Sequence, residues 1–179
     1  MPNAENLPVL PEILTGRGVF LRGETDEDRP FLERLFISTR WEETGLTGWP
    51  EDMRLAFLRQ QFSAQTQHYH THYHDAEYGV VEVRGASAGR LYIHRSSREL
   101  RIVDISLLPE YRGTGIGGAL IRILQDEAAA HGRVVSIHVE KFNPAQNLYA
   151  RLGFVQTGES GPYWRMDWLP PVTEEQALS

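Results

Sequence analysis

The sequence predicts an α+β layer fold, and three observations predict it. Short apolar, β-rich runs recur at 78–84, 89–94 and 99–108, the pattern of successive strands. Two stretches, Phe31 to Phe36 and Ile116 to Ala128, place apolar side chains on one helical face. In chain order the signals read strand, two helices, three antiparallel strands, helix, strand, helix and a closing hairpin, so most strands are grouped and not interleaved with helices. A chain of 179 residues suffices for one domain with its own core.

Each element has its local reason. Residues 1–18 hold two prolines and scattered apolar side chains and read as an extended arm. Val19 to Arg22 is a first strand. Thr25 with Asp28 three residues on makes a helix start, and Pro30 is tolerated only in a first turn. Residues 40–50, with Trp41 and Trp49, read as a loop, and a second helix is expected from about Pro50, carrying Leu55, Leu58, Phe62, Tyr69 and Tyr73 at helical spacing. Gly85 to Ala88 is expected to turn a hairpin between 78–84 and 89–94. Gly115 to His131 reads as a helix closed by Gly132, residues 134–139 as a strand, Pro144 to Leu152 as a helix stopped by Gly153, and 154–158 with 163–168 as the last two strands. Residues 170–179 read as a mobile tail, which leaves 19–169 as the domain.

The chain is organised around Glu99 to Gly118. A buried strand ends near Pro109, which cannot donate to a ladder. Arg112-Gly113-Thr114-Gly115-Ile116-Gly117-Gly118 follows and opens a helix. Glycines let backbone amides converge at a helix N-terminus, where the dipole also favours an anion, so a phosphate-bearing ligand is expected. A Walker loop is excluded, because Gly117-Gly118-Ala119 stands where its lysine and hydroxyl residue belong. A dinucleotide fingerprint fits loosely, with Glu140 after the next strand as its acid.

Arg112-x-x-Gly115-x-Gly117, after Leu107-Leu108-Pro109-Glu110-Tyr111, resembles the acetyl-CoA-binding motif of the GNAT N-acetyltransferase superfamily. Asn143-Pro144-Ala145-Gln146-Asn147-Leu148-Tyr149, followed by Leu152-Gly153-Phe154, is similar to its second signature, with one residue fewer after the asparagine than in many members. The resemblance spans about Val19 to Leu169 and is sharp from Val103 to Phe154. It implies a mixed, mostly antiparallel sheet flanked by helices, in which a parallel strand pair splays apart to take the cofactor arm. It implies acetyl-CoA as acyl donor, held by the main chain of Ile105, Ser106 and Leu107, by Arg112, by the loop Gly113, Thr114, Gly115, Ile116, Gly117 and Gly118, and by Asn143. It implies Tyr149 as general acid at the departing sulfur, and an amine or peptide acceptor bordered by the first helices, where Trp41, Trp49, Tyr69 or Tyr73 would line the site.

The base is open. His138 lies on the strand where some members place a glutamate, and imidazole titrates in a suitable range. Glu82, Glu99, Asp104 and Glu140 are alternatives. The tract His68 to His74 puts imidazoles at i, i+4, but without a third ligand it reads as a solvated helix end and no metal site is expected. A net charge of -6 argues against nucleic acid as partner. With no cysteine there is no disulfide and no cysteine acyl-enzyme. Neither a signal peptide nor a membrane span is visible, so a cytoplasmic protein is expected, and the resemblance admits a homodimer. The reading is direct transfer of an acetyl group to a primary amine in a ternary complex. The rival is an acyl-CoA-binding sensor without catalysis.

Overall fold

The computed structural model describes residues 4–172, so the expected tail lies outside the described residues from 173 onward. The described chain forms a seven-stranded sheet in the order β1-β2-β3-β4-β5-β7-β6. The strands are β1 (Val19–Gly23), β2 (Glu77–Val83), β3 (Ala86–Arg95), β4 (Glu99–Leu107), β5 (Val134–Glu140), β6 (Val155–Ser160) and β7 (Tyr163–Trp168). The helices are α1 (Glu12–Thr15), α2 (Arg29–Gly45), α3 (Glu51–His72), α4 (Ile116–Ala130) and α5 (Ala145–Arg151). Two compact units result: residues up to Tyr92 together with Asp104–Gly117, and Ile93–Val103 together with Gly118 onward.

In the first unit, β1 pairs antiparallel with β2, from Val19 opposite Val83 to Gly23 opposite Gly79. The helix start forms as its sequence dictates: Thr25 and Asp28 make a capping box, with the Thr25 amide donating to Asp28 Oδ2 at 2.8 Å. Phe31, Leu32, Leu35 and Phe36 of α2 then pack on Leu58 and Phe62 of α3 and on Val80. The helix does not stop at Arg40 as expected but runs to Gly45. The added turn is held from α3: the Arg54 guanidinium lies 3.7 Å from the Trp41 ring centre and also donates to the Trp41 carbonyl. The arm contains the short helix α1, whose Leu14 is buried. The hairpin is tighter than expected, since only Arg84 and Gly85 separate β2 from β3, at φ 51° and 81°. Two successive positive φ values match the right-handed twist of the strands.

In the second unit, β5 is central. It pairs antiparallel with β7, which pairs antiparallel with β6. With β4 it pairs in parallel, from Glu99 opposite Val134 to Ile102 opposite Ile137. Beyond Ile102 no described residue of β4 is in register with β5, although β4 continues to Leu107. Leu120, Ile121, Leu124 and Ala128 bury the apolar stripe of α4, and Gln125 donates to the Leu152 carbonyl at 2.8 Å, fastening α4 to the end of α5.

Candidate active site

The glycine loop is built in the first unit from the end of β4. Pro109–Tyr111 form one 3-10 turn, and the Thr114 hydroxyl donates back to the Tyr111 carbonyl at 2.6 Å. Arg112 folds back as well, its Nε donating to the Leu107 carbonyl at 3.0 Å. Arg17 donates to the Thr114 carbonyl at 2.8 Å. Gly113 and Gly115 have φ of 72° and 84°, a region costly for residues with a Cβ. A Cβ built on Gly113, Gly115 or Gly117 would meet nothing within 4 Å. Packing therefore does not require these glycines; they leave open a concave backbone at the start of a 15-residue helix. Ile116, buried, anchors that helix to the core. This is the shape a pyrophosphate needs, so the residues present fit the expected cofactor. Gly118 differs, because its Cβ position faces Leu148 at 3.7 Å, in ordinary packing contact with α5.

Upstream on β4, Ile105, Ser106 and Leu107 are partly exposed. The Ser106 hydroxyl donates to Asp104 Oδ1 at 3.3 Å. Gly89 of β3 lies so close that any side chain would strike the Ser106 carbonyl. Asp104 was one candidate base; the structure commits it elsewhere. Its Oδ2 accepts from Arg90 at 2.6 Å and from the Tyr69 hydroxyl at 3.0 Å. Glu82 pairs with Arg22 at 3.3 Å.

Around Arg90 the first unit forms a partly open cavity of about 220 Å³. Tyr69, Tyr78 and Tyr92 line it, as does Glu24, which accepts a hydrogen bond from the Tyr92 hydroxyl. Burial pushes the Tyr78 phenol up to about 12 and those of Tyr69 and Tyr92 upward as well, so all three stay protonated at neutral pH. Burial also raises the Glu24 carboxyl, against the opposing pull of Tyr92 and Arg90. Of the aromatics expected near an acceptor, only Tyr69 lines this cavity; Trp41 packs under Arg54, and Trp49 stands edge-on to Phe57 at 5.3 Å. Glu24 carried no sequence signal beyond following a strand.

The remaining predicted residues lie in the second unit. His138 of β5 is exposed, and Arg101 Nη1 lies 3.2 Å from its Nδ1. Arginine has no acceptor, so Nδ1 must accept and the neutral ring carries its proton on Nε2. Burial, then the cations Arg101 and Arg165, hold this imidazole below its ordinary value. Burial alone would raise the Glu99 carboxyl, but the Ser136 hydroxyl and the guanidiniums of Arg101 and Arg165 outweigh it and hold it low. Asn143 donates to Glu140 Oε2 at 2.9 Å, and its Oδ1 accepts from the Ala145 amide at 2.9 Å, which caps α5. Tyr149 is carried by that helix, buried, with its ring 6.0 Å from Phe154. The histidine tract ends α3: His68 and His72 stack at 4.2 Å, and His70 stacks on Tyr78 at 5.6 Å. Among the described residues no group of three or more His, Asp or Glu could hold a metal ion, and no helix is long and apolar enough to cross a membrane.

The model of the acetyltransferase (GNAT) family matches residues 22–154. No curated protein matches the sequence. The fold is shared with the PaiA N-acetyltransferase of Thermoplasma acidophilum, solved in complex with coenzyme A: TM-score 0.64 and 16% identity over 84% of this chain and 98% of that one. Ard1 of Thermoplasma volcanium is similar at TM-score 0.58 and 19% identity, over 87% of this chain and 99% of that one.

Proposed function

We propose that this chain, which belongs to the acetyltransferase (GNAT) family, is an N-acetyltransferase that moves an acetyl group from acetyl-CoA directly to a primary amine in a ternary complex. The observation that carries this reading is the open glycine cradle: three glycines whose Cβ positions are empty, at the N-terminus of α4, directly after a strand whose register with β5 ends at Ile102. Single turn glycines such as Gly48, Gly85, Gly132 and Gly161 are equally open, and what supports the reading is that three such positions fall within five residues at a helix N-terminus.

Acetyl-CoA supplies the thioester carbonyl and a thiol leaving group when bound. The chain's part is to orient and to move protons. The amides of Gly113, Thr114, Gly115, Ile116 and Gly117 bind the pyrophosphate, with Arg112 closing the loop and Gly118 setting the approach of α4 to α5. The main chain of Ile105, Ser106 and Leu107 takes the cofactor arm as an added strand would, and the Leu107 amide polarises the thioester carbonyl. Asn143 is assigned to the cofactor arm, and its capping of α5 also fixes the helix that carries Tyr149. Tyr149 Oη holds the proton for the departing sulfur, whose thiol would otherwise leave at a pKa of about 8.5.

An alkyl ammonium with a pKa of about 10.4 is neutral in only about 1 part in 10³ at pH 7, a cost of roughly 4–5 kcal/mol. Something must take that proton. His138 is the expected base, and the structure adds a condition: to accept at Nδ1 it must first release Arg101. The test is thiol release from acetyl-CoA over a panel of amines, with Tyr149→Phe beside the wild type. Loss of turnover by about 10²–10⁴-fold with coenzyme A binding retained is the expected result for a general acid. Tight coenzyme A binding with no amine-dependent release would favour the sensor.

A further inference from the structure

The cavity of the first unit measures about 220 Å³, below the roughly 300–1,000 Å³ of pockets that take drug-sized ligands. Its walls are aromatic. Tyr69 stands edge-on to Tyr92 at 5.9 Å, and Tyr78 lies 4.6 Å from Tyr92. Two of these rings already serve Arg90, whose guanidinium lies 5.0 Å from the Tyr92 ring centre and 6.0 Å from that of Tyr69, and His70 stacks on Tyr78.

The charges around the cavity divide into matched and unmatched. Arg90 lines it, but Asp104 meets its charge at 2.6 Å and Gln65 Oε1 accepts from it at 2.8 Å. Asp28 is held by both terminal nitrogens of Arg22, at 2.7 and 2.9 Å. Asp26 and Arg29, exposed and opposite in sign, stand at the mouth. Glu24 is the exception. It is partly buried, its side-chain hydrogen bond comes from the neutral Tyr92 hydroxyl, and Arg90 and His70, which also line the cavity, pull on it electrostatically without forming an ion pair with it among the described residues. A partly buried carboxylate whose one hydrogen-bond donor is neutral lacks a cation in direct contact. The cavity also adjoins the reacting strand, since Tyr69 and Arg90, which line it, both bond Asp104, the residue before Ile105.

We propose that this cavity is the acceptor site and that Glu24 is its specificity-determining residue, pairing its carboxylate directly with the ammonium of a compact primary amine. The inference rests on the transferase reading above. A peptide acceptor is the competing class, and a cavity of this size takes no more than one small side chain of it. An acceptor bearing a carboxylate is disfavoured, because the buried guanidinium is already neutralised by Asp104.

The experiment has two arms on the full chain. In the first, binding of n-propylammonium is followed without cofactor by saturation-transfer NMR from the tyrosine protons, in the wild type, Glu24→Gln and Glu24→Asp. Glutamine still offers Tyr92 an acceptor oxygen, so the cavity keeps its hydrogen bond while losing its charge. The expected result is binding to the wild type, weakening of about tenfold or more in Glu24→Gln, as for a charge-assisted contact made neutral, and partial recovery in Glu24→Asp. In the second, thiol release from acetyl-CoA is measured with n-propylamine and with a twelve-residue peptide bearing a free N-terminus. Glu24→Gln is expected to raise KM for n-propylamine about tenfold and to change kcat and coenzyme A affinity little. Equal n-propylammonium binding by wild type and Glu24→Gln overturns the proposal, as does turnover of the peptide but not of n-propylamine. If coenzyme A binds and neither acceptor is turned over, the transferase reading fails, and the NMR arm alone decides whether Glu24 holds a cation.

Discussion

Gly117→Ala separates a cofactor cradle from a turn, because the two roles predict opposite signs for one substitution. Gly117 is the second residue of α4, its backbone is helical, and a Cβ there would meet nothing within 4 Å. Nothing in the protein therefore resists the methyl group. Replacing a helical glycine by alanine gains up to about 1 kcal/mol, which for a chain of this length raises Tm by roughly 2–4 °C. The same methyl would stand where a phosphate oxygen must approach the amide. Losing one charge-assisted hydrogen bond costs about 1.5–3 kcal/mol, or roughly 10- to 150-fold in affinity at about 1.4 kcal/mol per tenfold. Calorimetric titration with coenzyme A and thermal melting of the same preparation give both numbers. The expected outcome is a protein of equal or higher Tm that binds coenzyme A at least tenfold more weakly. Gly115→Ala is the contrast. At φ 84° it carries a strain of about 1–2 kcal/mol, so it should lose both stability and affinity. A Gly117→Ala protein with wild-type affinity would refute the cradle at that residue.

Four further outcomes follow from the same contacts. Asp104→Asn leaves the buried Arg90 guanidinium without its counter-charge and should cost about 3 kcal/mol in urea unfolding; a loss below about 1 kcal/mol would show that Gln65 and the tyrosine rings suffice. The Arg22 guanidinium holds the Asp28 carboxyl below the usual carboxylate range, so its stabilisation is present above that range and disappears as pH falls through the lowered value. Asp28→Asn should accordingly lose about 1–2 kcal/mol at neutral pH, with the two unfolding curves converging in acid. Arg101→Gln should raise the titration midpoint of His138 in an NMR pH series, by removing one of the two cations that depress it and leaving burial and Arg165 in place; an unmoved midpoint would mean that burial and Arg165 suffice without Arg101. Burial raises the Glu24 carboxyl, with Tyr92, Arg90 and His70 pulling the other way and Asp28 adding to the rise. The KM for n-propylamine should therefore climb as pH falls toward that raised value, at a higher pH than an ordinary carboxylate would give, and the climb should vanish in Glu24→Gln.

What the sequence disclosed follows how far apart the interacting residues lie along the chain. The glycine loop, α4 and the Asn143–Phe154 segment are local: each is fixed by residues within a few positions of one another, and each stands where spacing predicted. The last turn of α2 was hidden because its warrant is tertiary. Nothing between Arg40 and Gly45 marks a helix as clearly as Arg54, in the next helix, makes one by packing on Trp41. The place of β7 between β5 and β6 was likewise out of reach, since alternation identifies a strand but not its neighbour.

The acidic and aromatic cluster shows the limit most clearly. Glu24, Tyr69, Arg90, Tyr92 and Asp104 come from a strand end, a helix and two further strands, and no single element holds more than two of them. Read singly, Asp104 was a candidate base and Glu24 was nothing. Brought together, Arg90 neutralises Asp104 and so removes it from that role, while the same arrangement gives Glu24 a hydroxyl donor and no direct ion pair. Local sequence thus specifies the half of the site that a family shares, a loop for a common donor. The half that selects an acceptor is assembled from distant residues, where a change at one of them alters the partner without disturbing the fold.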